Sequence, residues 1–282
     1  MNSQEPDRSS WAPPDRHEVM TRADASPPAP FGDGVEIREL VGAGRGSRGL
    51  FTGLITLEPG RASPSYARPD NEVLILLEGD AVVDVEDRRH RLSTLDHVAI
   101  PASLPRRIVN LSSQAPATFH VSIASSSPTH NVSRGPGLAV DQPDDFSGPE
   151  GAERVGRNAP EARTPLSPGA MFQDFFNASM GTTGICGGYG LFEPGARLPC
   201  HRHEFDESIT IVQGVASCIV EGKRYELSDN ATALVPQGRC HYFINRTDAP
   251  MAMIWVYAGD MPDRIVLDES YCHPEMGRPE AS

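Results

Sequence analysis

The sequence has no apolar run long enough to cross a membrane; its longest, such as Val73 to Leu77, stop after a few residues. It also lacks the basic start and apolar stretch of a secretory signal. Glu5, Asp7, Asp15 and Glu18 stand where a transit peptide would avoid acids. A cytoplasmic location with no membrane partner is therefore expected. Positive charge is scarce: 25 Lys and Arg face 38 Asp and Glu, for a formal net charge of −13, and no basic run occurs. A phosphate backbone is bound by cations that displace its counterions, so nucleic acid is not an expected partner. Cysteine is limited to Cys186, Cys200, Cys218, Cys240 and Cys272, an odd number at irregular spacing with no C-x-x-C pair. That excludes a zinc knuckle, argues against a disulfide framework and leaves reduced thiols as the expectation. Sustained helical periodicity is missing too. Only MFQDFF at 171–176 is expected to begin one short helix.

What is present is a series of short segments rich in β-branched and aromatic residues: VLILL at 73–77, AVVDV at 81–85, HVAI at 97–100, ITIV at 209–212, ALVP at 233–236 and MIWVY at 253–257. Gly, Pro, Asp and Asn separate them, the pattern of strands joined by tight turns in a sandwich or barrel. Residues 1–34 are rich in Pro, Ser and charge and offer little to bury, so they read as a disordered N-terminal arm. Residues 125–168 read as a Pro/Ser/Gly-rich linker, too long for an ordinary connection.

An internal repeat organises the rest. GLFTGLITLEPG from Gly49 matches GICGGYGLFEPG from Gly184, 135 residues further on. The same offset carries Gly60 to Gly195, Glu72 to Glu207, Gly79 to Gly214, Leu92 to Leu227, Pro101 to Pro236 and Asn110 to Asn245. QAPATFHVSIA then matches DAPMAMIWVYA after a slip of one residue. The chain thus holds two copies of one β-domain, expected at 35–124 and 169–262, with a C-terminal tail over 263–282. The stretch after Tyr257, GDMPDRIVLDESYC, is expected to run across the neighbouring barrel.

In the second copy, His201 and His203 share one face of a strand, and Glu207 keeps that parity if no bulge intervenes. His241 arrives on a later strand. Three imidazoles and a carboxylate form a mixed N/O ligand set that leaves room for water, O2 or substrate, and it suits Fe(II), Mn, Ni, Co, Cu or Zn without choosing among them. Ordinary strand residues satisfied by hydrogen bonds are the alternative. The segment from Gly195 to Gly214 resembles the first motif of the cupin superfamily, G-x5-H-x-H-x3-E-x6-G, at every defined position. The segment from Asn230 to Asn245 resembles the second, G-x5-P-x-G-x2-H-x3-N, with Asn230 in place of Gly. Asn tolerates the left-handed turn conformation better than other non-Gly residues, so the departure is mild.

The resemblance implies an all-β bicupin: two double-stranded β-helix (jelly-roll) barrels in tandem, related by a pseudo-twofold axis. It also implies one divalent metal ion per chain, with Fe(II) or Mn favoured. A small polar organic substrate and dioxygenase-like oxidoreductase chemistry would follow. A hydrolase, lyase, decarboxylase or isomerase is the nearest alternative, and a metal-containing binding module without turnover is another. Homo-oligomerisation is compatible with either.

The first copy serves as an internal control. Tyr66, Arg68 and Arg106 replace the three histidines, and only Glu72 remains. A guanidinium stays protonated and offers no lone pair, so this site is expected to hold no metal. Arg68 or Arg106 would pair with Glu72 instead; a pocket for a carboxylate or phosphate is the functional alternative. Candidate pocket residues in the second barrel are Phe243, Trp255, Tyr257 and Tyr189, with Arg197 and Arg239 placed at the mouth for an anionic substrate. Cys200, Cys240 and Asp206 are expected to face away from the ligands, Asp206 into solvent.

Overall fold

The computed structural model describes residues 15–132 and 151–273. Within them the chain forms two β-barrels, each a seven-stranded sheet facing a five-stranded one. In the second barrel the larger sheet runs, in spatial order, Val19–Thr21, Thr232–Val235, Glu207–Gln213, Met251–Tyr257, Cys186–Phe192, Ala170–Phe176 and Thr164–Ser167. The smaller runs Lys223–Leu227, Ala216–Val220, His241–Ile244, His201–Arg202 and Ile265–Val266. The first barrel repeats this order. All strand pairs with assigned register are antiparallel, as tight-turn connections require.

All six strands expected from composition are present. Their nearly continuous apolar character, in place of clean alternation, comes from burial on both faces. Leu74 and Leu76 fill the first barrel, while Val73 and Ile75 meet Ile254, Val256 and Phe176 between the barrels. Asn230 adopts φ 61°, the left-handed turn expected of it. Gly79 and Gly214, also at positive φ, bring the backbone against Pro116 O and Pro250 O; a Cβ would lie 2.8 and 2.6 Å from those carbonyls.

Five expectations fail. Residues 15–34, expected to be disordered, are built into the fold, while residues 1–14 lie outside the described range. Val19–Thr21 pairs with Thr232–Val235 of the second barrel, and Pro28–Gly32 pairs with Val35–Val41. The expected linker is shorter than it reads: Arg154–Gly156 pairs with His97–Ile100 of the first barrel, and Thr164–Ser167 opens the second. Its middle, 133–150, lies outside the described residues. Strands Val19–Thr21 and Arg154–Gly156 are themselves 135 residues apart, so each copy lends its leading strand to the other. A two- or three-residue strand buries little by itself, and only the foreign sheet edge gives it a hydrogen-bonding partner. That is why composition could not reveal it.

The expected helix at 171–176 is instead strand Ala170–Phe176. A register shift between Asp174 and Phe176 turns both Phe175 and Phe176 into the interface between barrels. The described part of the tail stays with its own barrel. Ile265–Val266 pairs with His201–Arg202 of its own barrel, as Asn131–Val132 does with Tyr66–Ala67 in the first. Finally, Cys200 and Cys272 form a disulfide, against the expectation of reduced thiols throughout; Cys186, Cys218 and Cys240 are buried and take no part in a disulfide. Disulfides are rare in the cytoplasm, so cysteine usage no longer supports that location. Among the described residues no helix is long and apolar enough to cross a membrane.

Candidate metal centre

His201 and His241 lie directly opposite each other on neighbouring strands of the small sheet. The strand carrying His201 ends at Arg202, and the next begins at Glu207 in the facing sheet. His203 and Glu207 therefore converge from two sheets, not from the single strand their parity implied. All four side chains are buried, and one ligand atom from each lies within 4.8 Å of the others. Ring centroids are 4.3 Å apart for His201 and His241 and 5.0 Å for His201 and His203.

Each imidazole is aimed by its other nitrogen. Nδ1 of His201 faces Pro199 O at 2.8 Å, Nδ1 of His241 faces Arg239 O at 2.9 Å, and Nδ1 of His203 faces Asp263 O. A carbonyl only accepts, so each Nδ1 carries a proton, and in the neutral, ligating form of the ring Nε2 presents a lone pair to the centre. Nε2 of His241 is 2.7 Å from Glu207 Oε2. Nε2 of His203 is 3.2 Å from the same oxygen, and among the described residues it is a buried atom with no hydrogen bond. A buried orphan lone pair is costly unless something occupies the space before it. A divalent cation fits that requirement and this donor set.

Charge follows the geometry. Burial pushes the pKa of His201 well below its ordinary value, and its neighbours His241 and His203 add to the effect, which favours the neutral, ligating form. Burial alone would raise Glu207, but His203 and His241 hold its carboxyl well below the usual range.

The first barrel shows the contrast. Arg68 Nε donates to Glu72 Oε1 at 2.7 Å, Arg106 Nε to Oε2 at 2.7 Å, and the Tyr66 hydroxyl to Oε2 at 3.0 Å. Both guanidiniums pair with Glu72, and the lone pairs a metal would need are absent.

Of the expected pocket residues, Phe243, Trp255 and Tyr257 do point into the second barrel. The Tyr257 ring lies 4.4 Å from that of His203, tilted against it, and Trp255 lies 5.0 Å from Tyr257. The other three do not reach the centre. Tyr189 falls on the opposite face of its strand, between the barrels beside Phe175. Arg197 pairs with Glu269 and covers the Tyr242 ring, while Arg239 binds Glu221 and Arg16 O. Asp206 is not solvated. The strand break at 203–206 turns it inward, where it pairs with the buried Arg16 and accepts from the amides of Arg48 and Gln237. It thereby ties the ligand-bearing turn to the N-terminal segment and to the first copy. Cys200 takes part in the disulfide, and Cys240 is buried outside the ligand group.

Arg264 went unnoticed in the sequence. It follows Asp263, whose carbonyl holds His203. Its guanidinium lies over Phe172 at 5.9 Å, and its charge acts on His201 and Tyr257. Among the described residues its Nε is buried with no hydrogen-bond partner, and so is Nε1 of Trp255. Extending the slipped repeat register beyond Tyr257 was the signal that could have found it: the register places Arg264 opposite His130, and Asp263 opposite Thr129. The pairing holds in space, since Thr129 O accepts from Arg68 just as Asp263 O accepts from His203.

A family model described as "Cupin domain" matches residues 53–123 and again 188–257, together half of the chain. The chain belongs to the cupin family. Its two-barrel architecture is that of bicupins. Oxalate decarboxylase from Lactobacillus farciminis, solved as a formate complex, is similar at TM-score 0.68 and 15% identity, over 90% of this chain and 89% of that one. A Bacillus subtilis oxalate decarboxylase mutant gives 0.67 and 17%, over 94% and 85%. The salicylate 1,2-dioxygenase from Pseudoaminobacter salicylatoxidans, solved as a mutant in complex with gentisate, gives 0.65 and 13%, over 82% and 76%. No curated protein matches the sequence. At these identities the likeness shows the fold alone.

Proposed function

We propose that this bicupin is an enzyme that binds one divalent metal ion through His201, His203, Glu207 and His241 and uses it on a small organic acid, by oxygenase-type chemistry. The observation that carries the reading is the buried, unpartnered Nε2 of His203 among donors already aimed at one point. The metal would supply redox reactivity towards O2 and a coordination site for substrate, with Fe(II) or Mn as the expected ion.

The chain's own residues supply the rest. Among the described residues, Arg264 Nε and the Trp255 indole N–H are two unspent donors in this barrel, which favours a substrate carrying a carboxylate or a comparable acceptor. Phe172, Phe243 and Trp255 keep water from the barrel interior. Burial and the Glu207 charge raise the Tyr257 phenol well above its ordinary pKa, so it remains a proton donor. Burial likewise raises the Cys186 and Cys218 thiols. None of these groups is available as a base, which favours the oxidative reading over base-driven hydrolysis.

The test has two stages. Elemental analysis of the isolated protein should find close to one metal per chain, lost in His203→Ala and retained in Arg68→Ala; two equivalents would refute the assignment of the barrels. The Fe(II)-loaded protein should then consume O2 with a small carboxylic acid. A protein isolated with zinc alone, silent in O2 uptake, would replace the oxidative reading with a hydrolytic or lyase one.

A further inference from the structure

The first barrel keeps the mouth of a cupin site although it has no metal ligands. Among the described residues, a cavity of about 480 Å³ opens there, lined by Phe31, Ile37, Phe51, Arg68, Thr129 and His130. Arg68 stands where His203 stands in the other barrel, and it is the one guanidinium on the cavity wall.

Its partners leave it underused. Nε is spent on Glu72, while the outer edge of the fork makes only a long 3.4 Å contact from Nη1 to Thr129 O. Behind it, Arg106 gives Nε to Glu72 and Nη1 to Leu104 O, and its Nη2 is buried without a partner among the described residues. Two guanidiniums thus share one carboxylate, a surplus of one positive charge in a buried cluster. An uncompensated charge of that kind is costly, and a monoanion in the cavity would remove the cost. The other groups facing the space do not supply one. Glu39 sits at its rim, about 41% exposed and beside Arg45. Burial and the Arg68 charge keep His130 towards its neutral form.

The walls add a second requirement. Phe31 packs edge-on against Tyr66 at 4.9 Å and His130 at 5.2 Å, with the Arg68 guanidinium 5.7 Å above the Phe31 ring. An apolar or aromatic body fits between such rings, and a guanidinium edge fits a carboxylate with two parallel hydrogen bonds. A phosphate dianion would exceed the surplus charge and leave the aromatic walls unused.

We infer that the first barrel is a binding site for a small monocarboxylate with an apolar body, held by the outer edge of Arg68 between Phe31, Phe51 and His130. In this reading the duplicated domain exchanged a metal for an anion at the same place in the barrel.

Benzoate is the probe, titrated calorimetrically into the full chain carrying His203→Ala, so that the second barrel offers no metal. One benzoate per chain is expected. Arg68→Met should weaken binding at least tenfold; Glu72 keeps Arg106 and Tyr66 in that variant, a balanced pair. Ile37→Trp fills the cavity without touching any charge and should abolish binding while circular dichroism stays unchanged, which decides the matter even if Arg68→Met fails to fold. Absence of benzoate binding, equal affinity in either folded variant, or binding of inorganic phosphate in preference to benzoate would each overturn the inference.

Discussion

Mild acid should weaken this protein through two histidines that hold the barrels together. His97, on the edge of the first barrel, stacks on Phe175 at 4.5 Å, and its Nε2–H donates to Phe175 O at 2.7 Å. His120 reaches across to Thr210 Oγ1 at 3.1 Å and is fully buried. Burial pushes the pKa of His97 down to about 4 and that of His120 down to about 3. In the unfolded chain both titrate near 6.5, so as pH falls below that value the unfolded state takes up protons that the folded state refuses. Stability is therefore lost on acidification. For His97 the linkage relation gives a loss of about 2 kcal/mol between pH 7 and pH 5, and His120 adds a similar amount. The carboxylates held low in the fold, Glu72, Glu153 and Glu207, begin to contribute only below about pH 4.5, so the windows separate. Urea denaturation at pH 7, 6 and 5 measures the effect. Each of His97→Gln and His120→Gln should lose about 2 kcal/mol less than wild type over that range, whatever its stability at pH 7. Parallel pH slopes for wild type and both variants would refute the reasoning.

Three further outcomes can be measured. Asp206→Ala strands the buried Arg16 and two backbone amides; it should cost about 3–5 kcal/mol in thermal unfolding and lower metal occupancy, whereas Asp206→Asn should cost less. Cys272→Ser opens a crosslink spanning 72 residues and should cost up to about 4 kcal/mol. A reducing agent should reproduce that loss in wild type and leave the variant unchanged. Arg264→Gln should raise KM for an acidic substrate at least tenfold with little change in metal content, and an unchanged KM would remove Arg264 from the substrate's environment.

The candidate metal centre was legible because metal ligation requires particular residue types at fixed spacing, and the degenerate first copy supplied a comparison within the same chain. Glu207 shows the limit of that logic. Its parity argument assumed one continuous strand, yet the chain breaks at 203–206, and the ligand set survives because two sheets face each other across the interior. The aromatic candidates divide along the same line. Phe243, Trp255 and Tyr257 share the interior face, whereas Tyr189 and the two arginines resemble them in type and lie elsewhere.

By itself the sequence determined what rests on local pattern: the strands, the duplication, the turn at Asn230, the four candidate ligands and the replacement of their counterparts at Tyr66, Arg68 and Arg106. Tertiary structure decided whatever depends on a distant partner. It turned a Pro-rich arm into an exchanged strand, Asp206 into a buried anchor and Cys200 into half of a crosslink. It also brought Arg264 over Phe172 inside the second barrel and Arg68 to the wall of a cavity. A short strand, a single cysteine or a lone arginine carries too little free energy to reveal its own position. Each is fixed by the surface it meets, and that surface exists only once both barrels have closed.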